Sequence, residues 1–104
     1  MARYIDFTNH TAAVRLAAHT IGLDHKRPYY RHGKLWYRPY RNYYATHERD
    51  NKQVWDEMVQ MGHVCSYIRP CRADGSISVI YSLTRKGLDW LGSVLNVNIH
   101  DEED

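Results

Sequence analysis

The sequence has little of what marks secreted, membrane-spanning or disulfide-stabilised proteins. It contains two cysteines, Cys65 and Cys71, which are too few for a disulfide scaffold, and we expect both to be reduced thiols. No apolar run approaches the ~20 residues that a membrane-spanning helix needs. The opening residues, MARYIDFTNH, lack the unbroken apolar core of a signal peptide. These absences predict a protein of the cytoplasm.

Motifs for catalysis and metal binding are also missing. No Walker loop, nucleophile elbow, paired-carboxylate motif or zinc-hydrolase signature occurs, so we predict that the chain is not an enzyme and needs no cofactor. His63, Cys65 and Cys71 could be zinc ligands, but His63 and Cys65 lack the Cys-x-x-Cys spacing. A fourth ligand, His47, would be arbitrary, so we predict no metal. A site assembled from distant residues stays open, with His32 or His47 as the candidate for phosphodiester chemistry.

Length and composition are those of one soluble globular domain. The 104 residues are 43% hydrophobic and 25% charged, which separates the chain from disordered proteins and allows one modest core. The last four residues, DEED, are expected to be solvated. We therefore predict a single domain over residues 1–100 and an acidic tail over 101–104.

Residues 26–44, which we call the basic segment, contain no acid. Of the 14 basic residues of the chain, six lie here, which leaves eight against 12 acidic residues elsewhere. The cations are Lys26, Arg27, Arg31, Lys34, Arg38 and Arg41. The seven aromatic residues among them are Tyr29, Tyr30, Trp36, Tyr37, Tyr40, Tyr43 and Tyr44. Such segregation of charge predicts a surface that meets an anionic partner.

Cations interleaved with rings are typical of nucleic-acid binding, because Arg and Lys neutralise phosphates while Tyr and Trp stack on bases for ~1–3 kcal/mol each. The predicted contacts are Lys26, Arg27, Arg31, Lys34, Trp36, Tyr37, Arg38, Tyr40 and Arg41, extended by Arg69, Arg72, Arg85 and Lys86. Three alternatives stay open. The segment could be a packed loop whose arginines lie over tyrosine rings, the same residues could bind an acidic protein surface, and the four outlying cations could be ordinary solvated charges.

Three stretches have the apolar spacing of amphipathic helices, over residues 9–21, 50–61 and 85–95. Thr8 and Asn9 are expected to cap the first, Asp50 the second in a capping box with Gln53, and Thr84 the third. The inward faces are predicted to carry Ala13, Val14, Ala17, Ala18 and Ile21, then Val54, Trp55, Met58, Val59 and Met61, then Leu88, Leu91, Val94 and Leu95.

Strands are predicted where β-branched and aromatic residues cluster. Residues 64–69 and 76–83 read as a hairpin whose turn contains Asp74 and Gly75. Short extended pieces are expected at LWY (35–37) and NYYAT (42–46), and a strand or arm at 3–7.

Residues 50–95 follow an ordered pattern of apolar, glycine and threonine positions. The helix ends in MVQMGHV, the hairpin follows, and YSLTRKGLDWL begins the last helix. The positions that carry the pattern are Met58, Val59, Gly62, Val64, Tyr81, Leu83, Thr84, Gly87 and Leu91. In this order the chain resembles the winged-helix superfamily, and its whole sequence is similar to small proteins of bacterial phages and prophages. The resemblance implies an α+β fold with three helices and a β-hairpin, or wing, in the C-terminal half.

The same resemblance implies that helix 51–61 would read the major groove of DNA. Its outward face offers Asp56 and Glu57 against Lys52, and carboxylates repel phosphates. The helix expected before it is replaced by the proline-interrupted residues 35–49. We therefore expect the basic segment to contact the anionic partner.

Two functions follow from these observations. The first is a non-enzymatic, phage-related protein that binds nucleic acid or a nucleotide through the basic segment, in the host cytoplasm if a phage encodes it. The alternative is an anti-defence inhibitor of the anti-CRISPR type that binds a host protein, which the acidic helix face and tail beside a basic segment would suit. Trp90, Val97 and Ile99 would supply apolar area for a homodimer.

Overall fold

The computed structural model describes residues 7, 10–23, 26–46, 51–70, 73, 75 and 77–100. Outside them lie all of the arm predicted at 3–7 except Phe7, and the predicted tail 101–104. The individual residues Thr8, Asn9, His47, Asp50, Cys71, Arg72 and Asp74 also lie outside them. The described part contains three helices and two three-stranded sheets, so the protein belongs to the α+β class. None of its described helices has the length and apolar character to cross a membrane.

The first helix, α1 (Ala12–Thr20), begins three residues later than predicted. Its N-cap is Thr11 and not the predicted Thr8 or Asn9, and the Thr11 side-chain oxygen accepts a hydrogen bond from the Val14 backbone N–H at 3.3 Å. A threonine at this position satisfies one of the N–H groups that a helix start leaves unpaired. The inward face is as predicted, with Val14, Ala17, Ala18 and Ile21 buried.

The second helix, α2 (Lys52–Gln60), is shorter than the predicted 50–61. Asn51 is its N-cap residue, in a left-handed backbone conformation and without a side-chain capping bond, so the predicted capping box of Asp50 and Gln53 was wrong. Trp55 and Met58 are buried as predicted, but Val59 and Met61 are exposed, so the prediction was wrong for these two. A helix of two and a half turns touches the core along one line of residues three apart, here Trp55 and Met58. Val59 falls beside that line, and Met61 comes after Gln60, the last residue of the helix.

The third helix, α3 (Arg85–Leu95), has the predicted bounds. Thr84 caps it as expected, because its hydroxyl oxygen accepts a hydrogen bond from the Gly87 backbone N–H at 3.0 Å. This cap fixes where the chain leaves the preceding strand and enters the helix.

The inward face of α3 differs from the prediction in its last turn. Leu88 and Leu91 are buried, but Val94 is exposed. The chain turns back against Gly92, whose carbonyl accepts a hydrogen bond from the Val97 N–H at 2.9 Å. Gly92 is therefore the buried residue in the last turn of α3, whereas we had predicted that Val94 would be buried there.

The larger sheet, sheet 2, contains the predicted hairpin. Its strands are β3 (Tyr44–Thr46), β4 (Val64–Pro70) and β5 (Ile77–Leu83), all antiparallel in the order β3-β5-β4. Asn42 extends the pairing of β5, because its side-chain amide donates to the Leu83 carbonyl at 2.9 Å and accepts from the Leu83 N–H at 2.8 Å. The expected extended piece at 42–46 is thus held against the hairpin.

The smaller sheet, sheet 1, was predicted only in part. It consists of β1 (Tyr29–Arg31), β2 (Lys34–Tyr37) and β6 (Asn98–Ile99), in the order β1-β2-β6. β1 and β2 form an antiparallel hairpin, whereas β6 pairs with β2 in parallel. The extended piece predicted at 35–37 lies in β2, whereas β1 and β6 were not predicted from the sequence.

The core lies between the helices and the two sheets. Trp55 stacks on Tyr81 with ring centroids 4.3 Å apart, and burial, with a smaller effect of Asp56, raises the pKa of the Tyr81 hydroxyl. Val97 and Ile99 are buried in this core. They are therefore not free to supply the homodimer surface that we expected of them.

A buried histidine joins α2 to α3. The His63 ring stacks on Trp90 with centroids 4.6 Å apart, and its Nδ1 has no hydrogen-bond partner within the described part of the chain. Burial lowers the pKa of His63, and the nearby positive charge of Lys86 lowers it further. Folding therefore favours the neutral form of this imidazole over the protonated form.

We expect stability to fall as the pH drops below about 6.5, the ordinary pKa of histidine. The pKa of His63 is lower in the folded than in the unfolded chain, so acid protonates the unfolded chain first and favours it. Urea unfolding between pH 8 and pH 5 measures this loss. In the variant His63→Phe, which keeps a ring against Trp90 but cannot take a proton, the pH dependence should be flatter. An unchanged pH profile in this variant would contradict the assignment.

Candidate functional site

The basic segment folds into two parts with different surroundings. Residues 29–37 form the hairpin of β1 and β2, and the following residues run back towards α1, where the Tyr43 N–H donates to the Thr20 carbonyl at 3.2 Å. The cations of the segment are therefore divided between an open sheet face and a packed connection.

The hairpin turn consists of His32 and Gly33, with φ of 54° and 74°. Two successive residues with positive φ are typical of a two-residue turn whose twist matches that of the strands, and glycine adopts the conformation without strain. The turn places Arg31 directly opposite Lys34. Like charges in this position repel each other, and an anion bound between them would relieve this repulsion.

Strand alternation gathers cations and rings on one face of sheet 1. Tyr29 lies opposite Trp36 and Arg31 opposite Lys34, and residues two apart on a strand share a face. Arg38, two residues after Trp36, continues the same row. We call this surface the cation face, and it comprises Tyr29, Arg31, Lys34, Trp36, Arg38 and His100.

The rings of the cation face hold one another in place. Trp36 stacks on His100 with centroids 5.1 Å apart and planes 20° apart. The Tyr29 hydroxyl and His100 Nε2 are 3.2 Å apart, and the Trp36 indole N–H donates to the Arg31 carbonyl at 3.2 Å. The aromatic surface is thus ordered before any ligand arrives, which lowers the entropy cost of binding.

An open cleft of about 270 Å³, the cation cleft, lies on this face. Among the described residues, those that line it are Tyr29, Arg31, His32, Trp36, Arg38 and His100, and none is a carboxylate. The ion pairs recorded in the described part join Lys52 to Asp56 and Arg85 to Asp89, and none there involves Arg31, Lys34 or Arg38. The cleft therefore offers two guanidinium groups and a flat ring surface to a ligand.

Other cations of the basic segment stabilise the fold. Lys26 Nζ lies 4.7 Å and Arg41 Cζ 5.4 Å from the centre of the Tyr40 ring. An Arg41 Nη2 N–H also donates to the His19 carbonyl at 2.7 Å. This cluster fits the packed-loop alternative better than ligand binding. Arg27 is exposed just before β1.

Tyr37 was predicted as a stacking residue, and the structure places it elsewhere. It is 2% exposed, and its hydroxyl donates to the Ile21 carbonyl at 3.0 Å. Because Tyr37 follows Trp36 on the strand, it points to the opposite face of sheet 1 and enters the core. Its ring cannot stack on a ligand there.

The cations predicted to extend the site do not line the cation cleft. Arg69 lies on β4 of sheet 2, and the Lys86 side chain lies beside Gly62 at the junction of α2 and α3. Arg85 donates to Asp89 Oδ1 and to the Ile99 carbonyl, each at 2.7 Å, so its charge is already compensated. Arg72 is outside the described residues.

His100 and Tyr29 complete the cation face without having been predicted as contacts. Tyr29 alternates with Arg31 in the sequence, and this signal could have found it. His100 is 71 positions from Tyr29, and the parallel pairing of β2 with β6 brings them together. No local pattern reveals such a long-range pairing.

The possible metal ligands do not cluster in the part of the chain that the structure describes. No group of three or more His, Cys, Asp or Glu side chains that could hold an ion occurs there. His63 is buried against Trp90, whereas Cys65 is exposed with its Sγ 3.1 Å from the Ser82 hydroxyl.

No family model matches the chain, and comparison with curated proteins and with solved structures finds no similar protein.

Proposed function

We propose that the chain is a small, non-enzymatic, phage-related protein that binds nucleic acid or a nucleotide through the cation face. The observation that carries this proposal is the cation cleft, where Arg31 and Arg38 stand beside the ordered Trp36 and His100 rings with no carboxylate among its described lining. Guanidinium groups bind phosphates as bidentate partners, and an exposed indole stacks on a base. The two features side by side match the two parts of a nucleotide.

A winged-helix-like scaffold is part of the same proposal. In support, α2 directly precedes the hairpin of β4 and β5, α3 follows it, and β3 pairs with β5 on the far side from β4. The protein differs from the superfamily in the segment before α2. Residues 29–46 form strands there, whereas the superfamily has a helix before its recognition helix. We therefore propose that sheet 1, and not α2, carries the binding surface in this protein.

Fluorescence anisotropy with labelled oligonucleotides tests the binding proposal. Three phosphate contacts, from Arg31, Lys34 and Arg38, predict that log K falls with log salt with a slope of about −2 for a single strand. Between about 25 and about 200 mM salt this corresponds to a loss of affinity of roughly 50- to 100-fold. If no DNA, RNA or nucleotide binds at the lower salt concentration, the proposal is wrong.

The tip of the wing favours the second candidate function, binding of a host defence protein. Ile68 and Ile77 are large, apolar and exposed on one face of the hairpin, and Ile68 reaches 67% exposure. Exposed apolar clusters are typical of protein interfaces.

A pull-down from nuclease-treated host lysate separates the two candidate functions. A stoichiometric protein that wild type retains and Ile68→Glu loses would favour the second, whereas loss of every partner with nuclease would favour the first.

A further inference from the structure

A second open cleft lies beside the cation cleft and shares a wall with it. It encloses about 440 Å³ between α3 and β6. Trp36 lines both clefts, so the indole stands between them. We call this second cleft the amide cleft, and its polar lining residues are Arg85, Asp89, Ser93, Asn96 and Asn98.

The amide cleft is chemically unlike the cation cleft. Both Arg85 bonds to Asp89 end on Oδ1, so Oδ2 keeps its capacity to accept a hydrogen bond. The carboxylate disfavours a phosphate here, and the Arg85 charge is already compensated by Asp89 and the Ile99 carbonyl. What remains is a set of neutral amide and hydroxyl groups beside one carboxylate acceptor. Such groups recognise the hydrogen-bonding edge of a base.

The register of sheet 1 fixes how the clefts are related. Asn98 lies opposite Trp36 in the parallel pair of β2 and β6. The Asn98 amide N–H donates to the Leu35 carbonyl at 3.2 Å, which holds the side chain at the edge of the sheet and leaves its oxygen able to accept. A ligand that crosses the indole from the cation cleft therefore meets Asn98 next.

We propose that the two clefts form one track for two adjacent nucleotides of a single strand. This inference rests on the proposed function and deepens it. Arg31 and Arg38 hold the phosphate, one base stacks in the cation cleft, and the neighbouring base enters the amide cleft beyond Trp36. Asp89 and Asn98 there accept hydrogen bonds from an exocyclic amino group, which favours cytosine over thymine. Bases paired in a duplex are stacked on each other and cannot straddle the indole.

Binding of short DNA strands tests the track. Wild-type protein should bind oligo(dC) about tenfold more tightly than oligo(dT) of equal length, because an acceptor that meets the cytosine amino group discriminates against the wrong base. The dinucleotide should bind much more tightly than the mononucleotide, and a duplex of the same length more weakly than the single strand. Anisotropy titration at one fixed salt concentration measures all of these affinities.

Three variants separate the roles of the clefts. Asp89→Asn and Asn98→Ala should each bring the ratio of oligo(dC) to oligo(dT) affinity close to one. Arg38→Ala should weaken both oligonucleotides equally and make the salt slope less steep by about 0.7. The matched control is Asp56→Asn on α2, which removes a carboxylate from the same kind of exposed i, i+4 ion pair and should keep the wild-type ratio.

The outcomes distinguish this inference from the proposed function. A preference that survives both amide-cleft variants, or duplex binding as tight as single-strand binding, would overturn the track while leaving the cation face as a binding surface. Failure of every oligonucleotide to bind would overturn the proposed function itself, and the track with it. Loss of the preference in both variants, with the Asp56→Asn ratio unchanged, supports the track.

Discussion

Replacing Arg31 and Arg38 together with glutamate is expected to weaken single-strand binding by roughly 100-fold or more at low salt. Both residues line the cation cleft, and the exchange turns two attractive charges into two repulsive ones beside the same ring surface. Both are exposed, so the folded state should keep its stability. Anisotropy titration measures the affinity, and thermal unfolding checks the fold.

The control for this exchange is Arg15→Glu, read against Arg38→Glu alone. Arg15 is an exposed cation on α1 that does not line either cleft, and the two single variants change the net charge equally. We expect Arg15→Glu to cost only the small effect of lower net charge, within about threefold. Equal losses in the two variants would mean that overall charge, rather than the cation face, attracts the ligand.

Replacing Gly87 with alanine is expected to destabilise the fold by about 3 kcal/mol. A methyl group at this position would overlap with the carbonyl oxygen of His63, which also accepts a hydrogen bond from the Thr84 N–H at 3.0 Å. The junction between α2 and α3 would have to open, because the clash is with backbone. For a domain of this size the loss corresponds to a fall in Tm on the order of 15 °C.

Ser93→Ala on the same helix provides the control for Gly87→Ala. Ser93 is exposed, and alanine has a higher helix propensity, so its effect on Tm should be small. Chemical unfolding of both variants gives the comparison. A Gly87→Ala protein as stable as the Ser93→Ala protein would contradict the close approach of α3 to His63.

Local signals predicted the elements that local interactions determine. The Thr84 cap and the bounds of α3 followed from the sequence, as did the hairpin of β4 and β5. The start of α1 was misplaced by three residues, because several Ser, Thr or Asn positions before an apolar stretch can each cap a helix. The exposure of Val59 and Val94 depends on which neighbours cover each face, and periodicity alone does not contain that information.

The sequence predicted which residue types the candidate site contains, but not which of their side chains share one surface. The run of cations and rings in residues 26–44 was visible, but strand alternation sends Tyr37 into the core and Trp36 to the cation face. Arg41 was indistinguishable from Arg38 in the sequence, yet it is tied to the His19 carbonyl. His100 arrives through the parallel strand β6. Such placements depend on tertiary pairing over long sequence separations.

If the binding surface is the cation face, the acidic outward side of α2 needs no nucleic-acid contact. Asp56 there is paired with Lys52 at 2.6 Å, and Asp89 on α3 is paired with Arg85. Asp89 lines the amide cleft, where we propose that it meets a base and not a phosphate, and the cation cleft has no carboxylate among its described lining. This arrangement would keep carboxylates away from a bound phosphate.

A two-dimensional ¹⁵N–¹H NMR titration with a short single-stranded oligonucleotide tests the central claim most directly. We expect the Trp36 indole N–H signal and the backbone amides of residues 29–38 and 98–100 to shift, because these groups form the two clefts and their shared wall. The indole signals of Trp55 and Trp90 should stay in place. Shifts confined to α2 and the β4–β5 hairpin, with the Trp36 signal unmoved, would contradict binding at the cation face.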